Sequence, residues 1–128
     1  MTRYLLDTDA LIDFSKGAEP ATSSILAWID GSDEVAVCAV SVAEFFAGLT
    51  PDQASEWESF IAALPYWEIS TGAAMRAGQY RHALARAGRS ITISDALLAA
   101  VALAHEATLV TGNVRHFPIE ELALFPLR

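Results

Sequence analysis

Three carboxylates in this sequence lie beside apolar segments, at points where a strand ends or a helix begins. Asp7 directly follows the apolar run 4–6, Glu44 comes shortly after a longer apolar run, and Asp95 precedes a third. In a parallel sheet the carboxyl ends of the strands share one edge, and the helices that leave those strands begin there. We therefore expect Asp7 and Glu44 to lie on the same edge of a sheet.

Such a group of acids favours the chemistry of a hard divalent cation. Carboxylates packed within a few ångströms repel one another and raise one another's pKa values. A divalent cation relieves this repulsion, and carboxylate oxygens are the ligands it prefers. A zinc site is not expected, because the chain has one cysteine, Cys38, and three histidines without paired spacing.

Two of the three acids also have structural explanations. The segment Ser41-Val42-Ala43-Glu44 fits the capping box S-x-x-E, in which the glutamate satisfies the backbone N–H of the cap residue. Asp95 follows Ser94, a residue suited to capping a helix, and the helix dipole favours an acid there by about 0.3–1 kcal/mol. Asp7 lacks such an explanation, because a strand end among leucines is an unfavourable place for a charge.

The elements that must position these acids alternate between strands and helices. The predicted strands are 3–6, 34–40, 65–69 and 108–111, with a short last strand near 124–125. The predicted helices are 9–16, 20–30, 41–49, 51–64, 71–87 and 95–107. This alternation predicts an α/β fold of three layers, α/β/α, with a central, mostly parallel sheet of four to five strands.

The length and composition indicate one globular domain spanning residues 1–128, with 53% hydrophobic residues. The longest uncharged apolar run, 96–104, has nine residues, far fewer than the roughly 20 that span a bilayer. The N-terminus lacks the pattern of an export signal, so a cytoplasmic protein is expected. The high apolar content also favours a homo-oligomer or an obligate partner.

The net charge of −8 argues against a nucleic-acid partner, but the charge is unevenly distributed. The segment 69–94 contains His82 and four arginines and no acid. Those arginines are Arg76, Arg81, Arg86 and Arg89. The segment is either a solvated helix face or a local cationic surface on an otherwise acidic protein.

Four motifs, in this order and over nearly the whole chain, resemble the PIN domain. Within that family they are similar to the VapC-type ribonuclease toxins of toxin–antitoxin pairs. The motifs are LDTDALI at 6–12, SVAEFFAGL at 41–49, ISDALLAA at 93–100 and LVTGNVRHF at 109–117. The resemblance implies a Mg²⁺- or Mn²⁺-dependent endoribonuclease, in which Asp7, Glu44 and Asp95 hold the metal and a metal-activated water attacks phosphorus.

The resemblance also implies auxiliary residues. Thr111 matches a hydroxyl position that helps order the metal or its water, and Thr8 either does the same or caps the first helix. The family usually has a fourth aspartate after the last of these strands, where this chain offers Asn113 and His116. We therefore expect a weaker second metal site and a preference for Mn²⁺. Asp9 is a possible substitute acid.

The resemblance implies partners as well. A cognate VapB-type antitoxin is expected to insert a helix, docking on the apolar segments 45–49 and 57–64. The RNA substrate, tRNA or another structured RNA, is expected to contact the arginine-rich helix, with Arg115 and His116 as nearer alternatives. A homodimer is typical of the family, and Ala73, Ala77, Tyr80 and Leu84 offer an alternative role for that helix as a dimer face.

Two other functions compete with this one. Asp7-Thr8-Asp9 also resembles the D-x-D opening of haloacid dehalogenase-like phosphohydrolases, which need a longer chain and a later lysine. The only lysine here is Lys16. A catalytically weakened PIN domain that binds a partner without cutting RNA is the second alternative, and the missing fourth aspartate is the best argument for it.

Overall fold

A computed structural model describes residues 1–128, which form four strands and six α-helices. The strands are β1 (Arg3–Leu6), β2 (Glu34–Ala36), β3 (Thr108–Thr111) and β4 (Leu124–Pro126). The helices are α1 (Thr8–Ser15), α2 (Ala21–Asp30), α3 (Ala39–Ala47), α4 (Pro51–Ala63), α5 (Thr71–Arg86) and α6 (Ile93–Ala104). A 3₁₀ turn, Val114–His116, follows β3. No helix is long and apolar enough to span a membrane.

The sheet is entirely parallel and lies between two layers of helices. Its strand order is β2-β1-β3-β4. Because side chains alternate along a strand, Leu5 and Leu109 face α5 and α6, whereas Leu6 and Val110 face α1 and α2. The predicted three-layer α/β fold is confirmed, with four strands in the sheet.

The apolar segment that follows β2 is where the sequence-based prediction was wrong. Strand β2 ends at Ala36, and α3 already begins at Ala39, so the strand predicted over 34–40 is only three residues long. The strand predicted over 65–69 is reduced to one parallel bridge between Val37 and Tyr66. The chain changes from strand to helix within one apolar run, which is buried from Val35 to Cys38, and a continuous apolar pattern does not distinguish the two.

This shift removes the capping-box explanation for Glu44. Ser41 lies inside α3, fully buried, and its hydroxyl donates to the carbonyl of Cys38 at 3.3 Å. Cys38, not Ser41, is the residue that precedes the helix, so Glu44 lies in its second turn. A glutamate at that point does not cap α3.

The start of α6 differs in the same way. The cap is Thr92 rather than Ser94, and the Thr92 hydroxyl accepts the backbone N–H of Asp95 at 3.1 Å. Asp95 therefore remains in the first turn of α6, as predicted, and points toward the end of the sheet where β1 and β3 finish. Helix α5 ends as expected, because Gly88 has a φ of +77°, a conformation that favours glycine.

Candidate active site

Asp7 stands at the centre of the candidate site, between the end of β1 and the start of α1. Its Oδ1 accepts the Thr8 backbone N–H at 2.7 Å, and its Oδ2 accepts the Thr111 hydroxyl at 2.8 Å. The residue is only 7% exposed. Burial raises the pKa of Asp7 from 3.8 to about 6; the two hydrogen bonds oppose this rise, and the charges of Asp9 and Asp95 add to it.

Thr111 supports Asp7 from the neighbouring strand. It is fully buried at the end of β3, which pairs directly with β1. Its hydroxyl donates to Asp7 and also accepts the backbone N–H of Asn113 at 3.0 Å. Thr111 thus fixes both the central carboxylate and the loop that follows β3, whereas its role in ordering a metal or its water stays a prediction.

Glu44 and Asp95 approach Asp7 from two helices. The Glu44 carboxylate accepts the Thr8 hydroxyl at 2.7 Å, so Thr8 links the start of α1 to α3. Asp95 lies 3.7 Å from Nδ1 of the exposed His116. Burial raises the pKa of Asp95; the Thr92 hydrogen bond and His116 oppose this, whereas the charges of Glu44 and Asp9 reinforce it.

Asp9 and Asn113 form the remaining corner of the site. The Asn113 amide donates to Asp9 Oδ2 at 2.6 Å. Gly112 lies close to this corner, because a Cβ there would stand 2.9 Å from the same Asp9 oxygen and would displace the guanidinium of Arg128. Asp9, the possible substitute for the missing fourth aspartate, therefore lies beside Asn113 in this corner.

An ion pair beside this corner was missed by the sequence analysis. The Arg128 guanidinium binds the buried carboxylate of Asp13 at 3.0 Å, joining the end of the chain to α1. Asp13 follows Asp9 by four residues and so lies on the same face of α1. That spacing is the one available signal, but a partner 115 positions away cannot be identified from spacing.

The donor types of this site suit Mg²⁺ or Mn²⁺, although the side chains are not gathered around one point. The charges of Asp9 and Asp95 act on Asp7, and those of Glu44 and Asp9 act on Asp95, so these carboxylates lie within electrostatic range. No group of three or more His, Cys, Asp or Glu side chains is arranged to hold a metal ion. Hydrogen bonds account for this arrangement, since Thr8 holds Glu44 and Asn113 holds Asp9. Rotation of these exposed or half-buried side chains is needed to close a metal site.

The arginines predicted to bind RNA do not share one surface. Arg81 and Arg115 line a pocket together with Asp95 and His116, and Arg89 lines the adjoining pocket. Arg76 lies elsewhere on α5, near Ala100 and Ala104 of α6, and Arg86 lines neither of the pockets beside Asp95.

The dimer face considered for α5 is wrong. Ala73 and Ala77 are buried in the core, where Tyr80 and Leu84 pack against the same cluster. This face of α5 packs against α6 and is not free for a second copy of the chain.

Comparison with known proteins identifies the family. A family model described as the PIN domain matches residues 4–121. The chain belongs to the PIN domain family. This PIN domain is 32% identical over 116 residues to ribonuclease VapC19 of Mycobacterium tuberculosis, covering 90% of this chain and 92% of that protein. It is 31% identical over 118 residues to ribonuclease VapC10 of the same organism, covering 91% and 87%.

Solved structures of VapBC complexes share the fold. The PIN domain superposes on a chain of the DNA-bound VapBC from Salmonella typhimurium with a TM-score of 0.84 and 26% identity, covering 100% of both chains. It superposes on a chain of VapBC2 from Rickettsia felis, bound to a DNA fragment from its promoter, with a TM-score of 0.85 and 24% identity, covering 99% and 100%. The resemblance to VapC-type PIN domains inferred from the four motifs is confirmed.

Proposed function

We propose that this PIN domain is a metal-dependent endoribonuclease, the toxin of a type II toxin–antitoxin pair, acting in the cytoplasm on tRNA or another structured RNA. The observation that carries the proposal is the environment of Asp7. Its carboxylate is almost fully buried, faces the charges of Asp9 and Asp95, and has a pKa raised to about 6. Such a perturbed acid beside other acids is typical of a functional site.

Asp7, Asp95 and Glu44 are the residues that would hold Mg²⁺ or Mn²⁺. A divalent cation bound there supplies a water of lowered pKa and stabilises negative charge on the phosphate oxygens. The chain's own residues orient the ligands: Thr111 and the Thr8 amide fix the two oxygens of Asp7, and the Thr8 hydroxyl holds Glu44. Asn113 and His116 flank the acids without adding a carboxylate.

The relatives support the same activity. Two curated proteins of similar length, VapC19 and VapC10 of Mycobacterium tuberculosis, are ribonucleases. Their similarity extends over about nine-tenths of this chain, and the family match over residues 4–121 includes all four motifs that carry the site residues. The proposal that this chain is a ribonuclease is therefore supported by similarity over nearly the whole domain and not by one motif.

A VapB-type antitoxin is the proposed protein partner, because the structural relatives include VapBC complexes. The site for it is a groove between α1, α3 and α4 that reaches Glu44. Its apolar walls are formed by Ile12, Phe45, Leu49 and Trp57. An amphipathic helix would fit such a groove and would cover one side of the acidic site. We also propose a homodimer, which would form through a surface other than the buried face of α5.

A catalytically weakened PIN domain is the second candidate, and two observations favour it. Asn113 stands where the family usually has an acid, and no three potential ligands are gathered for a metal. Such a protein would retain the fold and the antitoxin groove and would not cut RNA. Cleavage assays separate the two candidates.

The purified protein, free of antitoxin, is expected to cut a labelled tRNA pool into discrete fragments in Mg²⁺ or Mn²⁺ and to leave it intact in EDTA. Asp95→Asn and Glu44→Gln should abolish the fragments. Glu58→Gln, which changes an exposed acid on α4, is the matched control and should cut normally. Intact RNA in both metals would favour the binding-only candidate, and fragments formed in EDTA would contradict the proposal.

Asn113→Asp is expected to destabilise the metal-free protein by about 0.5–1.5 kcal/mol, because an exposed donor hydrogen-bonded to Asp9 becomes a like charge. Millimolar Mg²⁺ or Mn²⁺ should restore most of this stability, since the new carboxylate is a further ligand. Thermal melting in EDTA and in each metal measures both effects. Asn113→Ala is the control, because it removes the donor without adding charge. Equal melting temperatures of Asn113→Asp and the parent in EDTA would contradict the arrangement of this corner.

A further inference from the structure

A groove lined with basic side chains runs away from Asp95 along α5, and we call it the basic groove. It consists of two adjoining pockets of about 420 and 480 Å³ that share Arg81, Ser90 and Ile91. The first pocket ends at Asp95 and His116, and the second extends past His82 and Arg89. Both volumes fall in the range of roughly 300–1,000 Å³ typical of ligand sites, so each has room for a nucleotide-sized group.

Arg81 stands at the junction of the two pockets and is held in place. Its Nε donates to the carbonyl of Ile91 at 3.0 Å, and Ile91 is buried. One guanidinium donor is thereby used, whereas the two terminal nitrogens make no hydrogen bond within the protein. A guanidinium that is already oriented loses less conformational entropy when it binds an anion, and its fork matches the geometry of a phosphate.

The charge of the basic groove contrasts with that of the chain. Asp95 is the one acid in its lining, against Arg81, Arg89 and Arg115 and two histidines, whereas the chain as a whole has a net charge of −8. On α5 the groove positions recur at helical spacing, at 78, 81, 82 and 85. Arg76 and Arg86 line neither pocket, so only some of the basic residues of α5 face the basic groove.

We propose that the basic groove holds the RNA backbone on one side of the scissile phosphate, with Arg81 and Arg89 each contacting a neighbouring phosphate. The inference rests on the proposed function, because it takes the acids around Asp95 as the reacting end of the groove. A guanidinium binds phosphate bidentately. A partner helix would need an apolar groove, whereas the pocket that contains Asp95 has one hydrophobic residue, Ile91, among its seven lining residues.

The test removes two positive charges from the basic groove and, as a control, two from positions of α5 that line neither pocket. Arg81→Ala/Arg89→Ala is compared with Arg76→Ala/Arg86→Ala, both in the Asp7→Asn background that prevents cleavage. Anisotropy of a fluorescein-labelled single-stranded oligoribonucleotide gives the affinity over a range of salt concentrations. The groove pair should weaken binding by about tenfold or more and lower the slope of log K against log salt by about 1.4, at about 0.7 per lost phosphate contact. The control pair should bind within about twofold of the background.

The single variant Arg89→Ala tests the proposal without disturbing a hydrogen bond of the fold. Arg81→Ala leaves the Ile91 carbonyl without its partner, whereas the Arg89 side chain makes no hydrogen bond within the protein. Arg89→Ala alone should therefore melt like its background and lower the salt slope by about 0.7. Equal losses from the groove and control pairs, or no loss from either, would overturn the proposal.

Cleavage of the tRNA pool in Mn²⁺, with Asp7 restored, distinguishes failure of this inference from failure of the proposed function. If the wild type cuts RNA and both arginine pairs cut it with unchanged kcat/KM, the groove assignment is wrong and the function stands. If the wild type neither binds nor cuts RNA, both fail. If the groove pair loses affinity for the antitoxin and not for RNA, the groove is a protein-binding surface and the proposal is wrong.

Discussion

Asp7→Asn is expected to abolish RNA cleavage and at the same time to stabilise the fold. The loss of rate should be at least about a thousandfold, because the central ligand for the cation contributes several kcal/mol of transition-state stabilisation. The gain in stability has a different origin. The carboxylate is buried where desolvation disfavours its charge, and an amide of the same shape carries no charge.

The sign of the stability effect follows from the pKa of Asp7, which is about 6 in the folded protein against an ordinary value of 3.8. Between these two values the folded state retains a proton that the unfolded state has released. Stability of the wild type therefore falls as pH rises from about 4 to about 6, and the loss is complete above that window. The difference corresponds to about 3 kcal/mol, so Asp7→Asn should gain about 1–3 kcal/mol once changes in its hydrogen bonds are included.

Urea unfolding of the wild type and Asp7→Asn at pH 4 and pH 7.5, both in EDTA, measures this effect. The two proteins should be nearly equal in stability at the lower pH, and the variant should be more stable at the higher pH. Glu58→Gln is the control, since it removes an exposed carboxylate and should change little at either pH. An Asp7→Asn variant that is less stable than the wild type at pH 7.5 would contradict the burial argument.

Divalent cations are expected to produce the second large effect, an increase in the melting temperature of the wild type at pH 7.5. That pH lies above the pKa of Asp7, so its ionised carboxylate faces the charges of Asp9 and Asp95, and a bound cation compensates this repulsion. A cation present at ten times its dissociation constant adds about 1.4 kcal/mol of stability, which is a shift of a few degrees in a domain of this size. The shift should shrink as pH falls below about 6, because protons then compete with the metal for Asp7.

Thermal melting with and without Mg²⁺ or Mn²⁺ tests this expectation directly. The shift should be absent in Asp7→Asn and Asp95→Asn and unchanged in Glu58→Gln. A shift of equal size in all four proteins would mean that the cation acts on the general acidity of the chain and not at this site. A shift with Mn²⁺ at lower concentration than with Mg²⁺ would support the role of Asn113 as a weaker replacement for an acid.

The fold was largely predictable from the sequence because its strongest elements carry clear local signals. Strands β1 and β3 are short apolar runs with polar residues at their ends, and α5 has a capping serine at one end and Gly88 at the other. The segment after β2 could not be assigned correctly, because the residues on both sides of Cys38 are apolar and a continuous apolar run does not distinguish an extended segment from a helix. The position where β2 gives way to α3 depends on tertiary packing.

The candidate site was predictable in its membership and not in its hydrogen bonding. The sequence order alone predicted Asp7 and Glu44 at one edge of a parallel sheet, and the resemblance to the PIN domain added Asp95. The contacts Thr8 to Glu44 and Asn113 to Asp9 join residues 36 and 104 positions apart. Such pairs depend on helix orientation, and so does the division of the arginines between the basic groove and the rest of α5.

Single-turnover cleavage of tRNA by the wild type and Asp7→Asn, at the same Mn²⁺ concentration and after chelation, tests the central claim most directly. We expect the wild type to cut in Mn²⁺ and to be inactive in EDTA, and Asp7→Asn to be inactive at every Mn²⁺ concentration although it melts at a higher temperature in EDTA. Cleavage by Asp7→Asn at the wild-type rate, or wild-type cleavage that persists in EDTA, would show that the acidic site around Asp7 is not the catalytic centre.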